Sequence, residues 1–238
     1  IYLMHKILLL EINEVPWKII NKYKTKYKNI KLFFEKADKY KTICSDKIGM
    51  LDPWLIWPTV HRGMNYKKHN IKNLGQDPNT FKGNPIWKEY RQKGFNIGVF
   101  GSLQSWPPIE PGNGGFYIPD TFAHNKACYP NSLEFFQEFN LEQVSENGRV
   151  VKRTSYISFK SLLIFLRLLR FLKIRTIFRI IKQLILELYD KSFYERRPIY
   201  QSIICWDIFK YLYFKKNPPQ FASFFTNHVA NVMHRYWK

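Results

Sequence analysis

The chain has 238 residues, 45% apolar, 18% aromatic and 24% charged, with 38 basic against 18 acidic side chains and a net charge of +20. That content excludes a disordered chain, which would be poor in aromatics. Cys44, Cys128 and Cys205 are too few and too widely spaced for a disulfide scaffold, and no stretch reaches about 18 uncharged apolar residues, so no membrane-spanning helix is expected.

The charge is unevenly spread. Residues 1–150 hold 21 basic and 14 acidic groups, a net of +7, whereas residues 151–238 hold 17 and 4, a net of +13. Lysine outnumbers arginine 27 to 11, which fits a compositional bias that favours solubility as well as it fits an anionic partner. Met4 is the expected start of the natural product, and the four apolar residues between Lys6 and Glu11 are too short for a signal peptide. The expected location is the cytoplasm or the inner face of a membrane. Because the chain stops at Trp237-Lys238 inside a helical pattern, it reads as the amino-terminal fragment of a longer protein.

Residues 6–13 form an apolar run that suits a parallel strand buried on both faces. Pro16 opens a helix over 17–28, and Asn84-Pro85 caps another that ends at Gly94. Residues 95–101 read as a second buried strand, so strand, helix, helix and strand imply a βαβ plan with right-handed crossovers. Residues 106–131 hold five of the thirteen prolines and three of the eleven glycines and read as one long packed loop. Ser132 caps a short amphipathic helix.

Over 156–190 Leu, Ile and Phe are broken by Lys160, Arg167, Arg170, Lys173, Arg175, Arg179 and Lys182, with no acid before Glu187. At about 100° per residue the basic residues up to Lys173 fall in one sector and the later ones in another. A break near 174–176 is therefore expected, giving a basic hairpin for an anionic bilayer or a helical insertion packed on its own domain. Residues 221–226 read as a third strand, and Asn227 or His228 begins a terminal helix. The expected fold is α/β, a mostly parallel sheet flanked by helices: core over 4–150, basic helical insertion over 151–218, and return to the core over 219–238.

Ligands of such sheets bind beyond the carboxyl ends of the strands. Three polar clusters occupy such places: Glu11, Asn13 and Glu14; Asp52 to Gly63 with His69 and Asn70; and Thr226, Asn227, His228 and His234. Carboxylates and histidines converging from strand ends suit a divalent metal, and four of the six histidines fall inside the last two clusters. No Gly-rich phosphate loop, zinc spacing of cysteines or nucleophile elbow is present in the sequence.

Four stretches carry a resemblance: Glu11-Ile12-Asn13-Glu14 after the first strand; Gly63 followed by His69-Asn70-Ile71; Trp87 to Phe100 with Gly101-Ser102; and His234-Arg235-Tyr236-Trp237. In these the chain resembles the amino-terminal part of the alkaline-phosphatase-like superfamily, nearest its type I phosphodiesterase and nucleotide pyrophosphatase branch. The resemblance implies a phosphoesterase-like hydrolase with divalent metal (zinc or similar), acting on a phosphate, phosphonate or sulfate ester of a small molecule, glycan or lipid. It places the first metal ligand, an Asp in the family, at Asn13 or Glu11. The nucleophile position falls at Pro53 beside Asp52, with Thr59 the nearest hydroxyl, and a further ligand Asp falls at Ala230. The candidates are thus Asp52, Thr59 and His61 for catalysis and Glu11, Asn13, His228 and His234 for metal. The alternative is a catalytically degenerate relative serving as a binding or assembly module, docked on an anionic membrane surface through 156–190. A nucleic-acid partner is not expected, because the basic segment lacks interleaved aromatics and any recognised motif.

Overall fold

The computed structural model describes residues 6–40, 42, 52–145, 159–215 and 217–236. Four parallel strands, β1 (Ile7–Ile12), β2 (Ile97–Phe100), β3 (Phe116–Ile118) and β4 (Phe221–Thr226), form one sheet in the order β1-β4-β2-β3. The last strand in the chain thus lies between the first two, paired Ile7 with Phe221 through Ile12 with Thr226 on one side and Ile97 with Phe221 on the other. Such a sheet, with helices in its crossovers, is the expected α/β architecture.

The β1–β2 crossover holds α1 (Trp17–Tyr23), α2 (Lys28–Lys36), α3 (Pro53–Arg62), α4 (Tyr66–His69) and α5 (Ile86–Gln92). The β3–β4 crossover holds α6 (Glu134–Ser145), α7 (Phe159–Leu168), α8 (Ile174–Tyr189) and α9 (Arg197–Tyr213), and α10 (His228–Tyr236) follows β4. Strand alternation divides the sheet's side chains between two cores. Ile97, Val99, Tyr117 and Phe221 pack with Trp87 of α5 on one face. Phe100, Phe116, Ile118, Ala222 and Phe224 pack on the other with Phe136 of α6, Ile164 and Leu168 of α7, Ile180 of α8 and Phe209 and Leu212 of α9. The helices of the basic stretch are therefore the layer that covers this second face. Gly98 of β2 belongs there because a Cβ would stand 2.5 Å from the Phe116 ring that crosses it.

Three sequence expectations change. β1 is not buried on both faces: it is the edge strand, and Leu8, Leu10 and Ile12 are exposed because the second core reaches no further than β4. The 106–131 stretch contains β3, three residues paired parallel to Gly98–Phe100. The helix expected over 17–28 ends early, as α1 at Tyr23, and after a turn at Lys24–Lys26 a further helix, α2, follows where none was expected. The break in the basic stretch is present, as a single 3-10 turn Leu169–Phe171 with Lys173 entering α8. No helix among the described residues is long and apolar enough to cross a membrane.

Candidate functional site

The loops leaving all four strands and the start of α3 line one cavity of about 400 Å³ at the carboxyl edge of the sheet. β1 contributes Asn13 and Glu14, β2 Gly101 and Leu103, β3 Pro119 and Thr121, β4 Thr226 to His228, and α3 Asp52, Pro53 and Trp54. α9 adds Gln201, Ser202 and Cys205, and α10 adds Asn231 and His234. Two helices long enough to carry a useful dipole, α3 and α10, thus open onto the cavity with their positive amino ends. Its lining also includes the apolar side chains of Leu74, Phe100, Phe122 and Phe225.

Asn13 ties these elements together. Its backbone N–H extends the β1–β4 ladder to Thr226 O (3.1 Å), its Oδ1 accepts the Trp57 indole N–H (2.9 Å), and its Nδ2 donates to Asn227 Oδ1 (2.7 Å). The next residue, Glu14, takes a left-handed backbone with φ 55°, a conformation costly for a residue with a Cβ. From there its Oε2 accepts from His234 Nε2 at 2.6 Å. On the neighbouring strand β4, Thr226 Oγ1 lies 2.5 Å from His228 Nδ1. Burial pushes the His228 imidazole below its usual range, so at neutral pH the ring is uncharged and able to accept a proton.

Of the seven sequence-proposed residues, Asn13, Asp52, His228 and His234 line the cavity, as does Pro53 at the resemblance's nucleophile position. Glu11, Thr59 and His61 do not. Glu11 is fully buried between the sheet and α3, where its Oε2 accepts from His61 Nε2 (2.9 Å) and its Oε1 from Ser102 Oγ (2.7 Å). With its single proton given to Glu11, Ser102 Oγ in turn accepts from Ser223 Oγ at 2.8 Å. His61 rests edge-on against Trp87, ring centroids 4.8 Å apart.

Thr59 is equally committed. Its hydroxyl donates to Leu55 O (2.9 Å), so it receives the His69 Nε2–H at 3.1 Å. The tautomer is fixed independently, because His69 Nδ1 accepts the Ile71 backbone N–H at 3.0 Å. Burial, and then the charge of Arg62, hold His69 below the usual histidine range and thus neutral.

A divalent metal does not fit the groups described. Among the described residues no three His, Cys, Asp or Glu side chains stand together to hold one. Glu11 is spent on His61 and Ser102, and the Asn13 amide on Trp57 and Asn227.

The sequence clusters contained Glu14 and Thr226, yet neither was singled out for chemistry. The signal for both was position: Thr226 is the last residue of β4, and Glu14 lies two residues past the end of β1. Gln201, Ser202 and Asn231 carried no such signal, since only the packing of α9 and α10 brings them to the sheet edge. Known protein families, curated proteins and solved structures offer no match to this chain.

Proposed function

We propose that the chain carries the site of a hydrolase acting on a phosphoric or sulfuric ester whose alcohol part is apolar. One observation carries this reading: two histidine-centred proton-transfer pairs, Thr226–His228 and Glu14–His234, face one cavity at the carboxyl edge of a parallel sheet. A hydroxyl beside a neutral imidazole is an armed nucleophile. Thr226 Oγ1 attacks phosphorus or sulfur while its proton passes to His228 Nδ1. The Glu14–His234 pair protonates the departing alkoxide oxygen, and the amino ends of α3 and α10 stabilise the charge on the oxyanion. Water then cleaves the covalent ester with the proton transfers reversed. The apolar lining residues Leu74, Phe122 and Phe225 receive the alcohol part, as in a small-molecule, glycan or lipid-linked ester. The resemblance to the alkaline-phosphatase-like superfamily supports the same reaction class.

The test is turnover of a panel of aryl phosphate and sulfate mono- and diesters by the 238-residue chain, with chelator and with added zinc or magnesium. Hydrolysis that falls at least a hundredfold in Thr226→Val and His228→Gln, and persists in Thr59→Val, supports the reading. No turnover under any condition removes it. A second reading, a binding module without turnover, is favoured by Asn13. The residue at the resemblance's ligand position serves to join β1, α3 and β4. It predicts calorimetric binding of the same esters with no product.

A further inference from the structure

We propose that α8 docks the protein on an anionic lipid surface, a property independent of the cavity. α8 turns Ile174, Phe178, Ile181, Ile185 and Leu188 outward, with exposures of 72, 66, 43, 48 and 85%. Their alternating spacing of four and three residues stacks them in a single ridge about 20 Å long. The inner face is mixed: Ile177, Ile180 and Leu184 pack against the second core, with Thr176, Gln183 and Glu187 buried among them. Two of its polar groups are held inside: Gln183 Nε2 donates to Phe193 O at 2.6 Å, and Glu187 accepts from Arg197 at 2.8 Å. The helix is thus anchored to the domain by apolar packing and these hydrogen bonds, and it still leaves a second apolar ridge in water, where a ridge of this size marks an interaction surface.

The charges beside the ridge select the occupant. Arg175, Arg179 and Lys182 are exposed. At about 100° per residue they lie together on one flank, about 80–140° from the ridge axis. None of the three has a carboxylate partner among the described residues. The only acid of α8 is Glu187, buried and paired. A second copy laid on this ridge would meet its own basic flank and find no exposed acid on the helix to answer it. Anionic headgroups supply the missing charge, and the outer acyl region takes Phe178, Ile181 and Ile185. An apolar face beside a basic flank is the pattern of a helix lying in a membrane interface.

The full chain is sedimented with vesicles of phosphatidylcholine alone and with equimolar phosphatidylcholine and phosphatidylglycerol. Binding to the mixed vesicles only is expected. Phe178→Ser/Ile185→Ser, both on the exposed ridge, should abolish it while leaving thermal unfolding unchanged. Replacing Arg175, Arg179 and Lys182 together with Gln should lower partitioning on the order of a hundredfold at low salt. Equal pelleting with both vesicles, or none with the mixed ones, overturns the proposal. So does a lipid-free dimer in analytical ultracentrifugation that Phe178→Ser/Ile185→Ser dissolves, because the ridge then belongs to a second copy.

Discussion

His69 donates its Nε2–H to the Thr59 hydroxyl at 3.1 Å, and the Ile71 N–H on its Nδ1 leaves it no other tautomer. The Thr59 hydroxyl is occupied on both sides, since its own proton goes to Leu55 O. It clips α3 to the α4 turn and has no proton free for chemistry. Thr59→Val removes the acceptor and strands a buried N–H, which costs about 1–3 kcal/mol. Thr59→Ser should recover most of that in urea unfolding. A Thr59→Val variant with unchanged stability and no ester turnover would return Thr59 to the reaction.

The Glu11–His61 pair is a second structural device. Both side chains are fully excluded from solvent. Removing one member of such a pair leaves the other desolvated, at a cost of about 3–5 kcal/mol, far more than an exposed pair would show. Glu11→Ala should therefore unfold at markedly lower denaturant. Glu11→Gln, which keeps one acceptor oxygen for Ser102 or His61, should lose less. Equal losses in the two variants would mean that volume, not the carboxylate, matters there.

The contrast between Glu11 and Asn13 shows what a sequence can and cannot tell about this site. Both lie on one face of β1, two residues apart, and both looked like ligands at a strand end. Asn13 lies past the last rung and reaches the cavity, whereas Glu11 lies one position inside the strand and meets His61 of α3. That distinction depends on where the ladder stops. β4 was legible as a strand because Phe221-Ala222-Ser223-Phe224-Phe225-Thr226 is a short run dominated by apolar and aromatic residues. β1, also mostly apolar, read the same way, and only the strand order, with β4 inserted beside it, puts it on the edge. β3 escaped notice because three residues between prolines and glycines carry no periodicity. The meeting of the β1 and β4 loops with the start of α3 followed from the rule that parallel strands gather their loops at one edge. The contribution of α9 did not, because no local pattern tells which turn of a 17-residue helix will face that edge.

Glu14 gives a prediction in which stability and function move apart. Its left-handed backbone, φ 55°, is strained for a side chain and free for glycine. Relief of about 1–3 kcal/mol is offset by the entropy of an added glycine, about 0.5–1 kcal/mol. The partner bond is little help: the His234 and Glu14 side chains are 68% and 33% exposed, so the ion pair contributes little. Glu14→Gly should raise stability by about 1 kcal/mol and, under the proposed mechanism, slow turnover of esters with poor leaving groups most. Glu14→Gln, which keeps the strain and removes the charge, should slow them without the gain in stability.

The two buried histidines set a pH dependence. Burial holds His69 and His228 below the ordinary value of 6.5, His69 also because Arg62 lies near. As pH falls below about 6.5 the unfolded chain takes up protons that the folded chain refuses, so the folded state loses stability with decreasing pH. Each histidine contributes at most about 1.4 kcal/mol per pH unit within its window. Asp120 acts in the opposite sense: burial raises its carboxyl, so the folded state binds a proton above 3.8 that the unfolded chain has released. The histidine part is therefore isolated by comparison rather than by the raw curve. Urea unfolding followed downward from neutral pH should show a falling midpoint in the wild type and a shallower fall in His228→Gln. Identical slopes in the two proteins would mean that His228 titrates in the fold as it does in the open chain, and the neutral base assigned beside Thr226 would have to be another group.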